Sequence, residues 1–191
     1  PVLHLFPHWN WKAGDTVDVW AYYNNADEVE LFLNGKSVGT SQKTANRLHA
    51  QWRVAFQPGT LEAVSKKNGK TVLRKTIKTA GKPAQIELLA DRKKLKGAND
   101  LSFVTVRIVD AEGNLVPDAE NLVRFTTEGA GSVIAVDNGS PTSAEPFKAS
   151  NRKAFNGLCL AIVQSNGKKG AIRLTATAAG LPPATVQLLA D

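Results

Sequence analysis

Apolar and polar residues alternate with a period of two through most of this chain, and that alternation commits it to β-structure. It runs through VDVWAYY (17–23), VELFLNG (29–35), LHAQWRVAF (48–56), LEAVSKK (61–67), VLRKTIK (72–78) and IELLA (86–90). It resumes in SFVTVRIVD (102–110), LVRFTT (122–127), SVIAVD (132–137), FNGLCLAIVQ (155–164), IRLTATA (172–178) and ATVQLLA (184–190). A period of two sends successive side chains to opposite faces, as a half-buried strand requires. The segments are rich in Val, Thr, Ile and Phe, which suit a pleated surface. No stretch sustains the i, i+3, i+4, i+7 spacing of an amphipathic helix. Asn34-Gly35 and Asn68-Gly69 tolerate the positive φ of two-residue hairpins, and Pro58-Gly59, Glu112-Gly113-Asn114 and Asn138-Gly139 break the chain elsewhere.

Ala80-Gly81-Lys82-Pro83 is a breaker between two strand-rich halves. It predicts a first domain over residues 1–81 and a second over 82–191. Each half has the size of an immunoglobulin-like sandwich, about 100 residues. The expected fold class is therefore all-β, with two tandem immunoglobulin-like β-sandwiches. All four tryptophans and both tyrosines precede the breaker.

Charge and hydropathy narrow the function classes. The net charge of +7 is spread in ones and twos beside turns, as at Lys66-Lys67, Lys93-Lys94 and Lys168-Lys169. Neither an RNA-binding aromatic motif nor a helix-turn-helix pattern accompanies it, so the reading is a solvated surface and no nucleic-acid partner. No apolar run reaches the ~18 residues of a membrane helix, so no membrane insertion is expected. The chain has no methionine and reads as a stretch of a longer polypeptide. Its single cysteine, Cys159, lies in the apolar run LCLAIV and reads as a small buried hydrophobe rather than a nucleophile.

Asp27-Glu28, Asp110, Glu112, Asp118 and Glu120 sit in turn contexts, unlike the paired carboxylates of a glycosidase. No nucleophile elbow, phosphate loop or metal-spaced His/Cys cluster is present. His4 and His8 are four apart, but Pro7 and the strand-like context spoil a helical ligand pair. The run 137–143, DNGSPTS, offers many oxygens to a calcium ion, and reads more simply as an Asx-type turn. The expectation is no catalytic residue, no metal site and no cofactor. Trp20 and Trp52 fall within alternating strands and read as core. His8, Trp9, Asn10 and Trp11 stand apart. In an extended chain the two indoles of HWNW share one side, ready for a domain interface or a sugar ring, with local core as the third option.

Three stretches carry a family resemblance: HLFPHWNW, VDVWAYYNNADEVELFLNGKSVG and WRVAFQPGTLEAVSKKNGK. Together they resemble the region that follows the catalytic (β/α)₈ barrel in bacterial family 2 glycoside hydrolases of the β-galactosidase kind. DLSFVTVRIVDAEGNLVPDAENLVRF and DNGSPTSAEPFKASNRKAFNGLCLAIVQS resemble the immunoglobulin-like domain that ends many of them. The resemblance implies two non-catalytic accessory domains of a retaining glycosidase, its catalytic glutamates on the barrel and outside this chain. The parent is expected to be a β-galactosidase, with β-glucuronidase or β-mannosidase as alternatives. It implies a periplasmic or secreted location and a partner in the barrel of the same polypeptide, against which His8, Trp9, Asn10 and Trp11 would form a seam. A glycan is a further partner if the tryptophans make a carbohydrate-binding module. An adhesin-type stalk is the remaining alternative.

Overall fold

The computed structural model describes residues 1–44 and 47–191. The chain divides into two units, Pro1–Thr79 and Ala80–Asp191. Each is a β-sandwich, so the chain is all-β, as the alternation requires. Ala80 packs into the core of the second unit, and the Gly81 N–H donates to Oδ2 of Asp110 at 2.8 Å. Ala80 and Gly81, the first two of the four breaker residues, thus stand with the second unit.

The first unit holds seven strands among the described residues: β1 (Leu3–Phe6), β2 (Thr16–Tyr23), β3 (Glu28–Leu33), β4 (Lys36–Ser41), β5 (Ala50–Ala55), β6 (Thr60–Lys67) and β7 (Lys70–Lys78). They form a three-stranded sheet in the order β1-β2-β5 and a four-stranded sheet in the order β4-β3-β6-β7. Asn34-Gly35 joins β3 to β4 and Asn68-Gly69 joins β6 to β7, all four residues at positive φ. Val17, Val19, Ala21 and Tyr23 of β2 face inward with Leu3 and Leu5 of β1 and Ala50, Trp52 and Val54 of β5. Val29, Leu31, Leu61 and Ala63 share that core from the other sheet. Leu31 and Leu61 are completely buried, and each contributes about 2 kcal/mol by leaving water. The edge strand β7 turns Lys70, Arg74, Lys75 and Lys78 to solvent.

The second unit holds β8 (Gln85–Ala90), β9 (Lys94–Leu95), β10 (Ala98–Val109), β11 (Leu122–Gly129), β12 (Gly131–Asp137), β13 (Asn151–Lys153), β14 (Leu158–Asn166), β15 (Gly170–Ala178) and β16 (Leu181–Ala190). Its sheets run β12-β14-β10-β8 and β13-β11-β15-β16-β9. All pairings are antiparallel except β9 with β16. Val104, Val106, Ile108, Cys159, Ala161 and Val163 meet Val123, Phe125, Ile172, Leu174 and Ala176 in its core.

Four strands lie outside the alternating segments. β1, β9 and β13 have two to four residues, too short for a period to register, and β4 (KSVGTS) has almost no apolar content. The run from Phe155 starts its strand only at Leu158, because Asn156 and Gly157 both take positive φ and form a turn.

Candidate functional site

Residues 7–15 form a loop without strand geometry, and this decides the fate of HWNW. The parity rule that would put Trp9 and Trp11 on one side applies only to an extended strand. Here Trp9 turns inward and is fully buried. Its indole N–H donates to the Gln57 carbonyl at 2.9 Å, its ring meets Phe56 edge-on at 5.3 Å, and its own carbonyl accepts the Thr79 hydroxyl at 2.8 Å. Trp11 turns outward, 40% exposed. It stacks on His8 with centroids 4.9 Å apart and planes 16° from parallel, and its indole N–H donates to the His8 carbonyl at 2.9 Å. The Asn10 N–H donates to Nδ1 of His8 at 3.2 Å. The expectation of a paired indole surface is therefore corrected. Trp9 is core, and His8, Asn10 and Trp11 form a small self-bonded cap over the loop.

The aromatic surface lies instead on the outer face of β1-β2-β5. In β2, Val17, Val19, Ala21 and Tyr23 point in, so Trp20 and Tyr22 must point out with Asp18. Phe6 of β1 is the register partner of Trp20, and His4 that of Tyr22. The Phe6 ring lies 5.9 Å from Trp20, tilted by 37°. From the β5 side His49 stacks on Trp20 at 4.8 Å and reaches Tyr22 at 5.2 Å. Phe6 is 49% and Tyr22 40% exposed, while Leu48, just before His49, is 82% exposed. The Trp20 indole N–H is shut in by its neighbours and has no acceptor among the described residues. Trp52 is core as expected, its N–H donating to the Gly39 carbonyl at 3.0 Å, but Trp20 is not. What covers Trp20 is other aromatic rings on the solvent side. The signal was legible in VDVWAYY, where Trp20 shares parity with Asp18.

The acidic loop of the second unit is occupied by the chain itself. Oδ1 of Asp137 accepts the N–H groups of Asn138 and Gly139 at 2.7 and 3.2 Å, and Oδ1 of Asn138 accepts that of Ser140 at 3.0 Å. These are Asx turns. The guanidinium of Arg152 on β13, fully buried, donates to both side-chain oxygens and to the Glu145 carbonyl. Its positive charge stands against the oxygens that a cation would need. A shallow cavity of about 210 Å³ lies beside this loop against Thr105, Leu158 and Leu160.

Other ionisable groups are equally committed to structure. Burial pushes the Asp110 carboxyl up, but N–H donors from Gly81, Asn114 and Glu112 outweigh it and hold the group below the usual range. Glu30 is lowered by its hydrogen bonds to Lys66 and Ser37. Burial pushes the Cys159 thiol up to about 12, far from the thiolate of a nucleophile. Among the described residues no group of three or more His, Cys, Asp or Glu side chains is set to hold a metal. His4 lies on the outer face of β1, and His8 is stacked on Trp11.

The model of glycoside hydrolase family 2 C-terminal domain 5 matches residues 86–187, more than half of the chain. The chain belongs to the C-terminal region of glycoside hydrolase family 2. The first sandwich of this family 2 region matches a domain of unknown function, DUF4982, over residues 14–73. The chain is 53% identical over all its 191 residues to a β-galactosidase of Bacteroides ovatus, of whose length it spans 22%. It is similar to a solved family 2 glycosyl hydrolase of Bacteroides cellulosilyticus, with 38% identity and a TM-score of 0.89. That match covers 96% of this chain and 24% of the other. A solved β-glycosidase of Bacteroides vulgatus aligns at 31% identity and TM-score 0.91, over 98% of this chain and 24% of its own. The family 2 region thus spans about a quarter or less of each of these proteins.

Proposed function

We propose that these two sandwiches are the non-catalytic accessory region of a retaining family 2 glycosidase, a β-galactosidase by likeness to the Bacteroides ovatus protein. In this reading they buttress a catalytic barrel on the same polypeptide, which holds the catalytic glutamates. The observation that carries the reading is the match of the entire chain, at 53% identity, to a segment making up 22% of a β-galactosidase. Asp110, held by Asn114, and Glu30, paired with Lys66, are engaged in a turn and an ion pair, in keeping with this reading. A periplasmic location belongs to the same proposal, and cell fractionation with an antibody to the chain tests it.

The deciding experiment compares the chain alone with the longer polypeptide that contains it, on nitrophenyl β-galactoside, β-glucuronide and β-mannoside. The accessory reading expects no turnover by the chain alone, and turnover of the galactoside by the longer protein with retention at the anomeric carbon. Turnover by the chain alone sinks it. A carbohydrate-binding role is left with Trp11 and the outer aromatic face, since Trp9 is inaccessible. Calorimetric titration with galacto-oligosaccharides reads that role directly.

A further inference from the structure

The outer face of β1-β2-β5 is a solvent-facing sheet surface that carries aromatic rings where an antiparallel sheet ordinarily presents polar groups. Phe6, Trp20, Tyr22 and His49 form one contiguous cluster on it, and Leu48 projects beside His49. An exposed apolar cluster of this kind marks a contact surface. We propose that this face is the seat of the catalytic portion of the same polypeptide. The inference rests on the accessory reading above, and moves the seam from the HWNW loop to the Phe6–Tyr22 face.

Two observations choose this occupant. The chain spans 22% of the β-galactosidase it matches and belongs to a C-terminal region, so most of such a protein precedes it. A preceding segment enters this unit through β1, an edge strand of the very sheet concerned, whose last residue is Phe6. Five residues of extended chain reach about 17 Å, so whatever precedes Pro1 is held within reach of the cluster at high effective concentration. The cluster is also poorly shaped for a sugar ring. Phe6 and His49 already engage the Trp20 indole from two sides, and its N–H is closed off from a ligand hydroxyl.

Hydroxyl-radical footprinting of the chain alone and of the longer polypeptide tests this. Oxidation of Phe6, Tyr22 and Leu48 should fall about tenfold in the longer protein, as for residues in an interface core, while Val38 on β4 keeps its reactivity. Equal reactivity in both proteins overturns the proposal. So does protection that appears in the chain alone as its concentration rises, which indicates a second copy. Protection of the chain alone by galacto-oligosaccharide also overturns it and indicates a sugar platform. If the longer protein hydrolyses galactoside while the face stays reactive, only this inference fails. If it hydrolyses no glycoside, the accessory reading fails beneath it. Leu48→Asp gives a second measure. It should leave the melting temperature of the chain alone unchanged and lower that of the longer polypeptide by about 2 °C or more.

Discussion

The guanidinium of Arg152 is fully buried, yet its Nη2 lies 3.3 Å from Oδ1 of an Asp137 whose side chain is nearly half exposed. One group is out of water and the other is not, so removing them has unequal effects. Arg152→Ala leaves a cavity, removes the guanidinium bond to the Glu145 carbonyl, and leaves two loop oxygens with their backbone donors only. It should destabilise the second unit by about 3 kcal/mol in urea unfolding. Asp137→Asn keeps the loop geometry and loses a screened charge, at a cost of about 1 kcal/mol or less. Equal losses from the two substitutions would mean that the buried charge is not what holds the loop.

The two tryptophans of HWNW should separate just as widely. Trp9→Ala empties a site under Phe56 and removes the bond to Gln57, for a loss of about 3–5 kcal/mol. Trp11→Ala removes a half-exposed ring and its stacking on His8, for about 1 kcal/mol or less. Thermal unfolding of the first unit reads both, and comparable effects would contradict the placement of Trp9 in the core.

Asp110 gives the second unit an acid limb. Its carboxyl titrates below the ordinary value of 3.8, because the bonds from Gly81, Asn114 and Glu112 outweigh the effect of burial. A lowered folded-state value stabilises the fold above 3.8, and that stability is lost as pH falls below it through the folded value. Asp110→Asn should therefore cost about 1–2 kcal/mol at pH 7 and converge on the parent in strong acid. A difference that does not shrink with falling pH would locate the effect elsewhere.

Cys159 should resist alkylation in the folded protein. With its thiol at about 12, the thiolate population at pH 8 is roughly a thousandfold below that of an unfolded cysteine. Iodoacetamide should label the chain only after denaturant unfolds it. Rapid labelling of the native chain would show an accessible thiolate.

Most of the strands could be read from the sequence because both sandwiches are half-buried sheets whose side chains obey parity. VDVWAYY shows how far that rule reaches. It identifies β2 and also implies that Trp20 faces outward with Asp18, against the general preference of tryptophan for the interior. HWNW shows where it stops. Residues 9–11 lie in a loop, where local bonds such as Trp11 to His8 set direction and parity has no meaning. Arg152 was hidden for another reason. Nothing in NRK announces that a cation will be buried against a loop fifteen residues earlier, since that depends on the pairing of β13 with β11.

The basic outer strand of the first unit has a consequence for the company the molecule keeps. β7 closes its sheet with unpaired backbone donors and acceptors, a template on which a strand from another copy could add. Lys70, Lys75 and Lys78 line that template beside Arg74, which is paired with Glu62, and a second β7 approaching it would bring the same lysines. Like-charge repulsion along this edge therefore opposes the addition of a second copy, strand to strand.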